Sequence, residues 1–377
     1  MKVALVHDWL TGTRGGEKVL LSLARLFPAA PLYTLFHFPG SVPAEIEDRP
    51  VRTTWLQRIV SRERDYRSLL PLYFLAAESW DLSGFDLVIS TSHCVAKAAQ
   101  RGPKGFHLCY CHTPVRYLHD QFDDYLRGRS GVVKAAARLV RAPLRARDLA
   151  TVPRVDAFLA NSENVRERIA RIYGRPSRVV PAPADTAFYT PAPSTRPREG
   201  LLVVSALAPY KRLDDALEAS ARLGRTLTIA GFGPEESRLR ALAGPHVRFA
   251  GSPSDEELRE LYRTAEVVLM PGEEDFGIVP LEAQACGTPV VALGKGGALE
   301  TVVDGVTGVL YPDAGSGPLA CAIELALTRH FDAGALVENA RRFSEPAFRA
   351  RFLAAARAAL SEAGRDDLAC ALPGPQP

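Results

Sequence analysis

Short β-branched runs alternate with longer amphipathic stretches from one end of this chain to the other. The first runs cover residues 2–6, 87–90, 107–111, 157–160 and 179–180, and helical stretches such as 17–26 and 165–173 separate them. A second, more regular series covers residues 201–205, 226–230, 247–249, 267–269, 290–292 and 309–311. This alternation is typical of βαβ units with parallel sheets, and it argues against all-α and all-β folds.

The two series suggest two domains. Residues 189–200 lie between them, carry three prolines and show no hydrophobic periodicity, as linkers do. We therefore expect an N-terminal domain over 1–188, a linker over 189–200 and a C-terminal domain over 201–345, in a chain of 377 residues. Apolar residues recur every four positions from Phe348 to Leu360, which predicts a helix over 347–363. We expect residues 346–363 to cross back to the first domain and residues 364–377 to form a flexible tail.

Charge and cysteine content exclude several classes. The 46 Lys and Arg residues against 43 Asp and Glu leave a net charge of +3, which is too small for a protein whose whole surface binds nucleic acid. Six cysteines in mainly apolar stretches form no disulfide framework and indicate a reducing compartment. The apolar run at residues 3–6 is too short for a signal segment, and no apolar run is long enough to span a membrane. We expect a cytoplasmic protein, at most peripheral on the inner face of the cytoplasmic membrane.

Two glycines follow the first predicted strand and open a helix. In the stretch 12–18, Gly15 and Gly16 would let backbone N–H groups approach an anion at the positive end of the helix dipole. The spacing fits neither a Walker loop nor the dinucleotide-binding fingerprint. A phosphate site and a plain strand-to-helix turn both remain open.

The strongest local signal is a pair of acids, Glu274 and Glu282, eight positions apart across a loop-to-helix junction. Either acid alone is explained by stabilisation of a helix N-terminus. Phe276-Gly277 between them predicts exposed backbone amides, and two acids flanking such amides can bind the hydroxyls of a sugar and a ribose. Lys211 follows the strand at 201–205, at the end where open α/β sheets bind ligands, and suits a leaving diphosphate. The alternative for Lys211 is a solvated surface lysine.

The stretch 107–116 invites a metal interpretation, which we reject. Alternation along a strand puts His107, Cys109 and Cys111 on one face, and no second ligand pair completes a site. We expect Cys109 and Cys111 in the core. His112 lies at the strand's end before Pro114, where its side chain can face a cleft.

Together these motifs resemble those of family 4 glycosyltransferases, retaining enzymes of the GT-B fold that use nucleotide-activated sugars. The stretch 111–117 is similar to the mannosyltransferase branch. The resemblance implies two doubly wound, Rossmann-like α/β domains facing each other across a cleft. It also implies transfer of mannose from GDP-mannose, without a metal or other cofactor, to a glycan or lipid-linked acceptor in cell-surface polysaccharide or glycolipid synthesis.

The resemblance also implies roles for individual residues. His112, Glu274 and Lys211 would be catalytic: His112 would line the active site, Glu274 would contact the transferred sugar, and Lys211 would contact the phosphates. The binding set would place Glu282 on the ribose, the loop around Gly251 on the base, and amide groups on the sugar and phosphates; it comprises Gly15, Gly16, Arg212, Gly251, Phe276, Gly277, Ile278 and Glu282.

One position departs from the family pattern. The family often has an arginine five residues before its lysine, and this chain has Ala206 there. We expect Lys211 to meet the phosphate charge with help from Arg212 or Arg14.

Two other functions remain possible from sequence. A sugar-nucleotide epimerase or hydrolase on the same scaffold would turn over donor without acceptor. A nucleic-acid or membrane-surface binder would act through the basic segment near residue 130, where the lack of interleaved aromatic residues argues against nucleic acid.

That basic segment predicts a membrane contact. The spacing of its cations puts four of them on one helical face, namely Lys134, Arg138, Arg141 and Arg145. Val132, Ala136, Leu139 and Val140 lie opposite, and no acid occurs between Arg127 and Arg147. This pattern favours an interfacial helix on anionic lipid. The alternative is a solvated helix face broken at Pro143.

Overall fold

The structure is a computed structural model that describes residues 1–13, 15–60, 69–120, 122, 126, 130–193 and 197–374. The chain divides into two compact units, one formed by Met1–Pro183 with Pro346–Pro377 and the other by Ala184–Glu345. The first boundary therefore lies five residues before the predicted one, and the segment expected to be a linker is grouped with the second unit. Arg14, Arg127 and three linker residues, 194–196, lie outside the described part.

The first unit is built on a seven-stranded parallel sheet with the order β3-β2-β1-β4-β5-β6-β7. Its strands are β1 (Val3–His7), β2 (Leu32–Thr34), β3 (Val51–Thr53), β4 (Leu87–Ser92), β5 (Phe106–Cys111), β6 (Ala157–Ala160) and β7 (Ser177–Val179). β2 and β3 were not predicted, because each has three residues and neither is a continuous β-branched run; β7 is equally short, and its predicted run at 179–180 overlaps it only at Val179. The direction of strand order reverses between β1 and β4, and ligands of open α/β sheets bind at such a reversal, outside the carboxyl ends of the strands.

Five α-helices precede residue 183 in the described part of the first unit, and two of them lie at the predicted stretches 17–26 and 165–173. They are α1 (Gly15–Leu26), α2 (Ala44–Glu47), α3 (Tyr73–Ala77), α4 (Gly131–Thr151) and α5 (Glu163–Tyr173). At the start of α5, the Ser162 hydroxyl accepts from the N–H of Val165, and Gly174 ends the helix with φ of 63°. α4 continues through Pro143, so a break there does not occur.

The second unit is built on a six-stranded parallel sheet with the order β10-β9-β8-β11-β12-β13. Its strands are β8 (Leu201–Val204), β9 (Leu227–Ala230), β10 (Val247–Gly251), β11 (Val267–Met270), β12 (Val290–Leu293) and β13 (Gly308–Tyr311). All six lie at the predicted runs. The order reverses between β8 and β11.

Helices connect these strands and cover the sheet. They are α6 (Leu213–Leu223), α7 (Glu236–Leu242), α8 (Asp255–Thr264), α9 (Ile278–Ala285), α10 (Ala298–Thr301), α11 (Ser316–Thr328) and α12 (Ala333–Arg341). At α8, Ser254 and Glu257 form a reciprocal capping box that satisfies two N–H groups of the first turn. Two parallel-sheet, doubly wound α/β units are thus confirmed.

Two helices end the chain in the first unit. α13 (Glu345–Glu362) matches the predicted helix, and its predicted stripe from Phe348 to Leu360 is buried. The expectation of a flexible tail is wrong for α14 (Asp366–Ala371), because Leu368 and Leu372 are apolar enough to pack and are buried. In the part of the chain that the structure describes, no helix has the length and apolar content needed to cross a bilayer.

Candidate functional site

The order reversal of the second sheet brings two predicted site residues together. Lys211 follows β8 through a short 3-10 turn at Pro209–Lys211, and Glu274 lies in the loop after β11. β8 and β11 are neighbours, so both loops emerge at the same carboxyl edge. The Lys211 ammonium donates a hydrogen bond to the Glu274 carboxylate, and both side chains are largely buried. A surface lysine, the alternative left open by the sequence, is excluded.

Close backbone packing fixes the Glu274 loop in place. The N–H of Gly297 donates to the Glu274 carbonyl at 2.9 Å, and Glu274 pairs with Gly296 as an isolated parallel bridge. A Cβ on Gly297 would lie 2.2 Å from the Phe276 carbonyl oxygen, which no side chain tolerates. The glycines after β12 therefore allow this loop to approach the Glu274 loop directly.

Three predicted residues form the start of α9. Gly277 adopts φ of 93° as the N-cap residue, and Ile278 is the first residue of the helix. Phe276 is buried, with its ring centroid 5.8 Å from that of Phe343. The positive φ at Gly277 turns the chain into α9, whose first N–H groups lack intrahelical acceptors and can bind an anion or hydroxyl.

Glu282 is buried within α9. The hydroxyl of Tyr262, from α8, donates to Glu282 Oε2 at 2.9 Å. Burial raises the pKa of Tyr262 well above its ordinary value, and the nearby Glu282 charge adds to that rise, so the phenol stays a donor. The sequence analysis missed Tyr262, because it sits in no recognisable motif.

Arg212 and Gly251 make their hydrogen bonds with residues other than Lys211 and Glu274. Arg212 has φ of 55° and its Nε donates to Asp215 Oδ2 at 2.7 Å, so its charge is paired inside the α6 turn. The expectation that Arg212 helps Lys211 stays a prediction. Gly251 ends β10, and its carbonyl accepts from the N–H of Gly231, directly after the neighbouring strand β9, at 2.6 Å.

In the first unit, the predicted site residues Gly16 and His112 lie close to each other. At Gly16, near the start of α1, an added Cβ would lie 3.6 Å from His112 Nε2 and 3.6 Å from His7 Cε1. Within the described part of the chain, His112 Nε2 is shielded from solvent and has no hydrogen-bond partner. Burial lowers the pKa of His112 to about 3, with His93 and His7 lowering it further, so the ring is neutral. Gly15 and Gly16 thus open a helix beside a neutral, half-buried imidazole whose Nε2 is shielded from solvent.

The strand residues before His112 are core, as expected. Cys109 and Cys111 are buried, and burial raises the pKa of Cys109 to about 12. His107 is also buried, and its Nε2 is 2.8 Å from the Ser90 hydroxyl. Neither cysteine is poised to react.

Asp8 and His93 form a polar pair in the first unit that was not predicted from the sequence. Asp8, directly after β1, accepts a hydrogen bond from His93 Nδ1 at 3.0 Å, just beyond β4. β1 and β4 flank the reversal of strand order. Both residues lie outside any motif, and only the sheet order reveals them.

Family models match both halves of the chain. Residues 13–188 match the model described as Glycosyltransferase Family 4. Residues 193–343 match the one described as Glycosyl transferases group 1.

Curated relatives match over part of their length. D-inositol 3-phosphate glycosyltransferase of Mycobacterium sp. (strain KMS) is 34% identical over 212 residues, which are 50% of this chain and 48% of that protein. Glycogen synthase of Mycobacterium tuberculosis (strain ATCC 25618 / H37Rv) is 34% identical over 189 residues, 46% and 45% of the two chains. The chain spans about half the length of these relatives.

Solved structures show the same fold over nearly the whole chain. Anabaena Alr3699/HepE in complex with UDP and glucose has a TM-score of 0.66 at 19% identity, covering 93% of this chain and 98% of that one. Sucrose-phosphate synthase (tll1590) from Thermosynechococcus elongatus has a TM-score of 0.72 at 18% identity, covering 96% and 100%.

Proposed function

We propose, from this chain's membership of the GT-B glycosyltransferases, that it transfers a hexosyl group from a nucleoside diphosphate sugar to a hydroxyl acceptor. The observation that carries the proposal is the Lys211–Glu274 pair at the strand-order reversal of the second sheet. A cation, a carboxylate and the N-terminus of α9 there offer the groups that a sugar diphosphate requires.

Each group has a distinct task in this proposal. Lys211 and the first N–H groups of α9 stabilise negative charge on the leaving diphosphate, which is electrostatic preorganisation of the kind that supplies most of many enzymes' rate. Glu274 accepts hydrogen bonds from hydroxyls of the transferred sugar. Glu282, held by Tyr262, accepts from the ribose hydroxyls. Because Lys211 and α9 carry the positive charge, we propose that transfer needs no metal.

The stereochemical proposal is retention. Retention requires either a carboxylate nucleophile or a same-face route. Glu274 already accepts from Lys211, which weakens it as a nucleophile. We therefore favour the same-face route: the bond from C1 to the acceptor oxygen forms, the bond from C1 to the diphosphate oxygen breaks, and the acceptor's proton passes to the diphosphate.

The proposed donor is GDP-mannose. Support comes from the similarity of residues 111–117 to the mannosyltransferase branch. The Anabaena neighbour was solved with UDP, so a UDP sugar is the competing donor.

We further propose that the acceptor is a glycan or lipid-linked molecule reached at an anionic membrane, through α4. Val132 and Leu139 are 81% and 80% exposed, and seven positions put them on the same side of the helix. Arg138 and Arg145 are exposed and Lys134 is half-buried, and their spacing puts them on the other side of the helix. An exposed apolar side opposite a basic side is the pattern of a helix that lies on an anionic bilayer.

Arg141 departs from the predicted basic face. Its guanidinium donates to the carbonyls of Leu118 at 3.0 Å and His119, and lies 4.3 Å from the Phe122 ring centroid. Arg141 therefore holds α4 on the protein, and the lipid contact is assigned to the other three cations.

A donor panel tests the proposed function. GDP-mannose, UDP-glucose and their nucleotides are titrated by calorimetry, and donor consumption is then followed with and without oligosaccharide and lipid-linked acceptors in EDTA. We expect binding of a nucleotide sugar and acceptor-dependent release of the nucleoside diphosphate. Equal donor turnover without acceptor would favour an epimerase or hydrolase.

A further inference from the structure

One arginine joins the ends of two helices in the second unit. Arg198 is half-buried and lies in the segment that the sequence suggests as a linker. Its Nη1 donates hydrogen bonds to the carbonyls of Tyr262 at 3.3 Å and Ala265 at 3.0 Å, at the end of α8. Its Nη2 donates to the carbonyls of Cys286 at 3.1 Å and Gly287 at 2.9 Å, directly after α9. The guanidinium therefore spans two helix C-termini.

The way α9 ends explains why an arginine suits this position. Gly287 adopts φ of 73°, and the N–H of Thr288 donates to the Ala283 carbonyl at 2.9 Å, as in a Schellman motif. The last carbonyls of an α-helix lack intrahelical donors and carry partial negative charge. A guanidinium is always charged and holds its donors in a fixed fork, so one side chain can bind both helix ends. Arg198 is thus a C-terminal cap shared by α8 and α9.

Each of these helices carries one partner of the hydrogen bond between Tyr262 and Glu282. Arg198 donates directly to the Tyr262 carbonyl. On the α9 side it donates to Cys286, whose N–H donates to the Glu282 carbonyl at 3.1 Å. The Thr288 hydroxyl adds a link, because it accepts from Arg198 and donates to the Tyr262 carbonyl at 2.5 Å. These contacts set where the Tyr262 hydroxyl meets the Glu282 carboxylate.

We propose that Arg198 is a positioning residue for the donor: it holds α8 against α9 so that Glu282, orientated by Tyr262, accepts hydrogen bonds from the ribose hydroxyls. This inference rests on the proposed function, in which Glu282 is the ribose ligand. Arg198 itself does not touch the donor and undergoes no covalent change. Its replacement therefore weakens recognition of the ribose hydroxyls and leaves the binding of base and phosphates as it was.

A nucleotide without ribose hydroxyls separates this role from a general effect on the fold. GDP and 2′,3′-dideoxy-GDP are titrated into the full chain by calorimetry, and UDP with its dideoxy analogue replaces them if UDP is the nucleotide that binds. The readout is the Kd of the dideoxy nucleotide divided by the Kd of its parent, which we call the hydroxyl ratio. A variant that merely loosens the second unit weakens both nucleotides alike and leaves the hydroxyl ratio unchanged.

We expect the wild type to bind the parent nucleotide more tightly than its dideoxy analogue. Arg198→Lys should lower the hydroxyl ratio about threefold, because an ammonium cannot span both helix ends. Thr288→Val removes one hydroxyl from the same set of contacts and should lower the ratio in the same direction. Tyr262→Phe should lower it about fivefold, and adding Arg198→Lys to Tyr262→Phe should lower it no further, since both act through one contact.

Arg49→Lys is the matched control. Arg49 is a half-buried arginine of the first unit that also donates to carbonyls at a helix end, those of Ala24 at 2.9 Å and Phe27 at 3.4 Å after α1 begins to end. The same substitution there should leave the hydroxyl ratio at its wild-type value.

A hydroxyl ratio that is unchanged in Arg198→Lys and Thr288→Val but lowered in Tyr262→Phe would overturn the assignment while the proposed function stands. A ratio unchanged in all three variants would overturn it together with the proposed role of Glu282. A wild-type chain that binds neither nucleotide would contradict the proposed function itself.

Discussion

Lys211 donates a hydrogen bond to Glu274 although 63 positions separate them in sequence. The contact exists because β8 and β11 are paired at the reversal of strand order, so the loops that follow them share one edge. A buried charge left without its partner is costly. A donor bound at this pair, as we propose, would have to replace the contact that Lys211 and Glu274 make with each other.

The first prediction concerns this pair. Lys211→Ala and Glu274→Ala should each lower kcat roughly 10²-fold, because we propose that Lys211 stabilises the leaving diphosphate and that Glu274 contacts the transferred sugar. Steady-state kinetics with a saturating donor measures the change. Arg238→Ala is the control: it removes an exposed pair with Asp214 in the same unit and should leave kcat unchanged. Wild-type kcat in both site variants would remove the pair from the reaction.

Glu282 and Tyr262 should act on donor binding instead. Tyr262→Phe removes only the hydroxyl that holds Glu282, so donor KM should rise about fivefold with kcat nearly constant. Glu282→Ala should raise KM further. A fall in kcat at unchanged KM in Tyr262→Phe would show that Glu282 does not bind the ribose.

Sequence patterns predicted some of this organisation and not the rest, for physical reasons. The six strands of the second sheet are mostly apolar runs of four or five residues, so their positions could be predicted, as could the loop-to-helix junction between Glu274 and Glu282. β2 and β3 are too short to carry a pattern. Tyr262 and Asp8 act through partners 20 and 85 positions away, and such contacts depend on strand order rather than spacing. Arg141 has the helical spacing of the predicted basic face, but its guanidinium donates a hydrogen bond to a neighbouring carbonyl group.

The next prediction concerns the space between Gly16 and the His112 ring. His112→Ala should lower kcat roughly 10²-fold if its ring faces the transition state. Gly16→Ala should also lower activity, because its methyl would occupy the space beside Nε2 at ordinary contact distance. The melting temperature of Gly16→Ala should not fall, since alanine suits a helix better than glycine. Full activity in Gly16→Ala would show that nothing binds there.

The low pKa of His112, about 3, means that this residue adds no ionisation to the activity profile between pH 5 and 8.

Membrane contact through α4 is tested by flotation with vesicles. Neutral vesicles should recover little of the chain and vesicles rich in anionic lipid much more, with high salt reducing recovery. Leu139→Glu should abolish recovery, because it puts a charge on the apolar side of α4. Leu325→Glu is the matched control: it makes the same substitution at an exposed leucine of α11, 45% exposed, and should float like the wild type. Equal recovery with both vesicle types, or none with either, would count against a lipid role.

The central claim is that the chain transfers a sugar from a nucleotide donor with retention at the Lys211–Glu274 site. Its most direct test is NMR of the first product formed from GDP-mannose, or from whichever nucleotide sugar binds, with an acceptor in the presence of EDTA. The account predicts an α-linked product from an α-linked donor, formed at full rate in EDTA and roughly 10²-fold more slowly by Glu274→Ala. A β-linked first product, or activity lost in EDTA and restored by Mg²⁺, would contradict it.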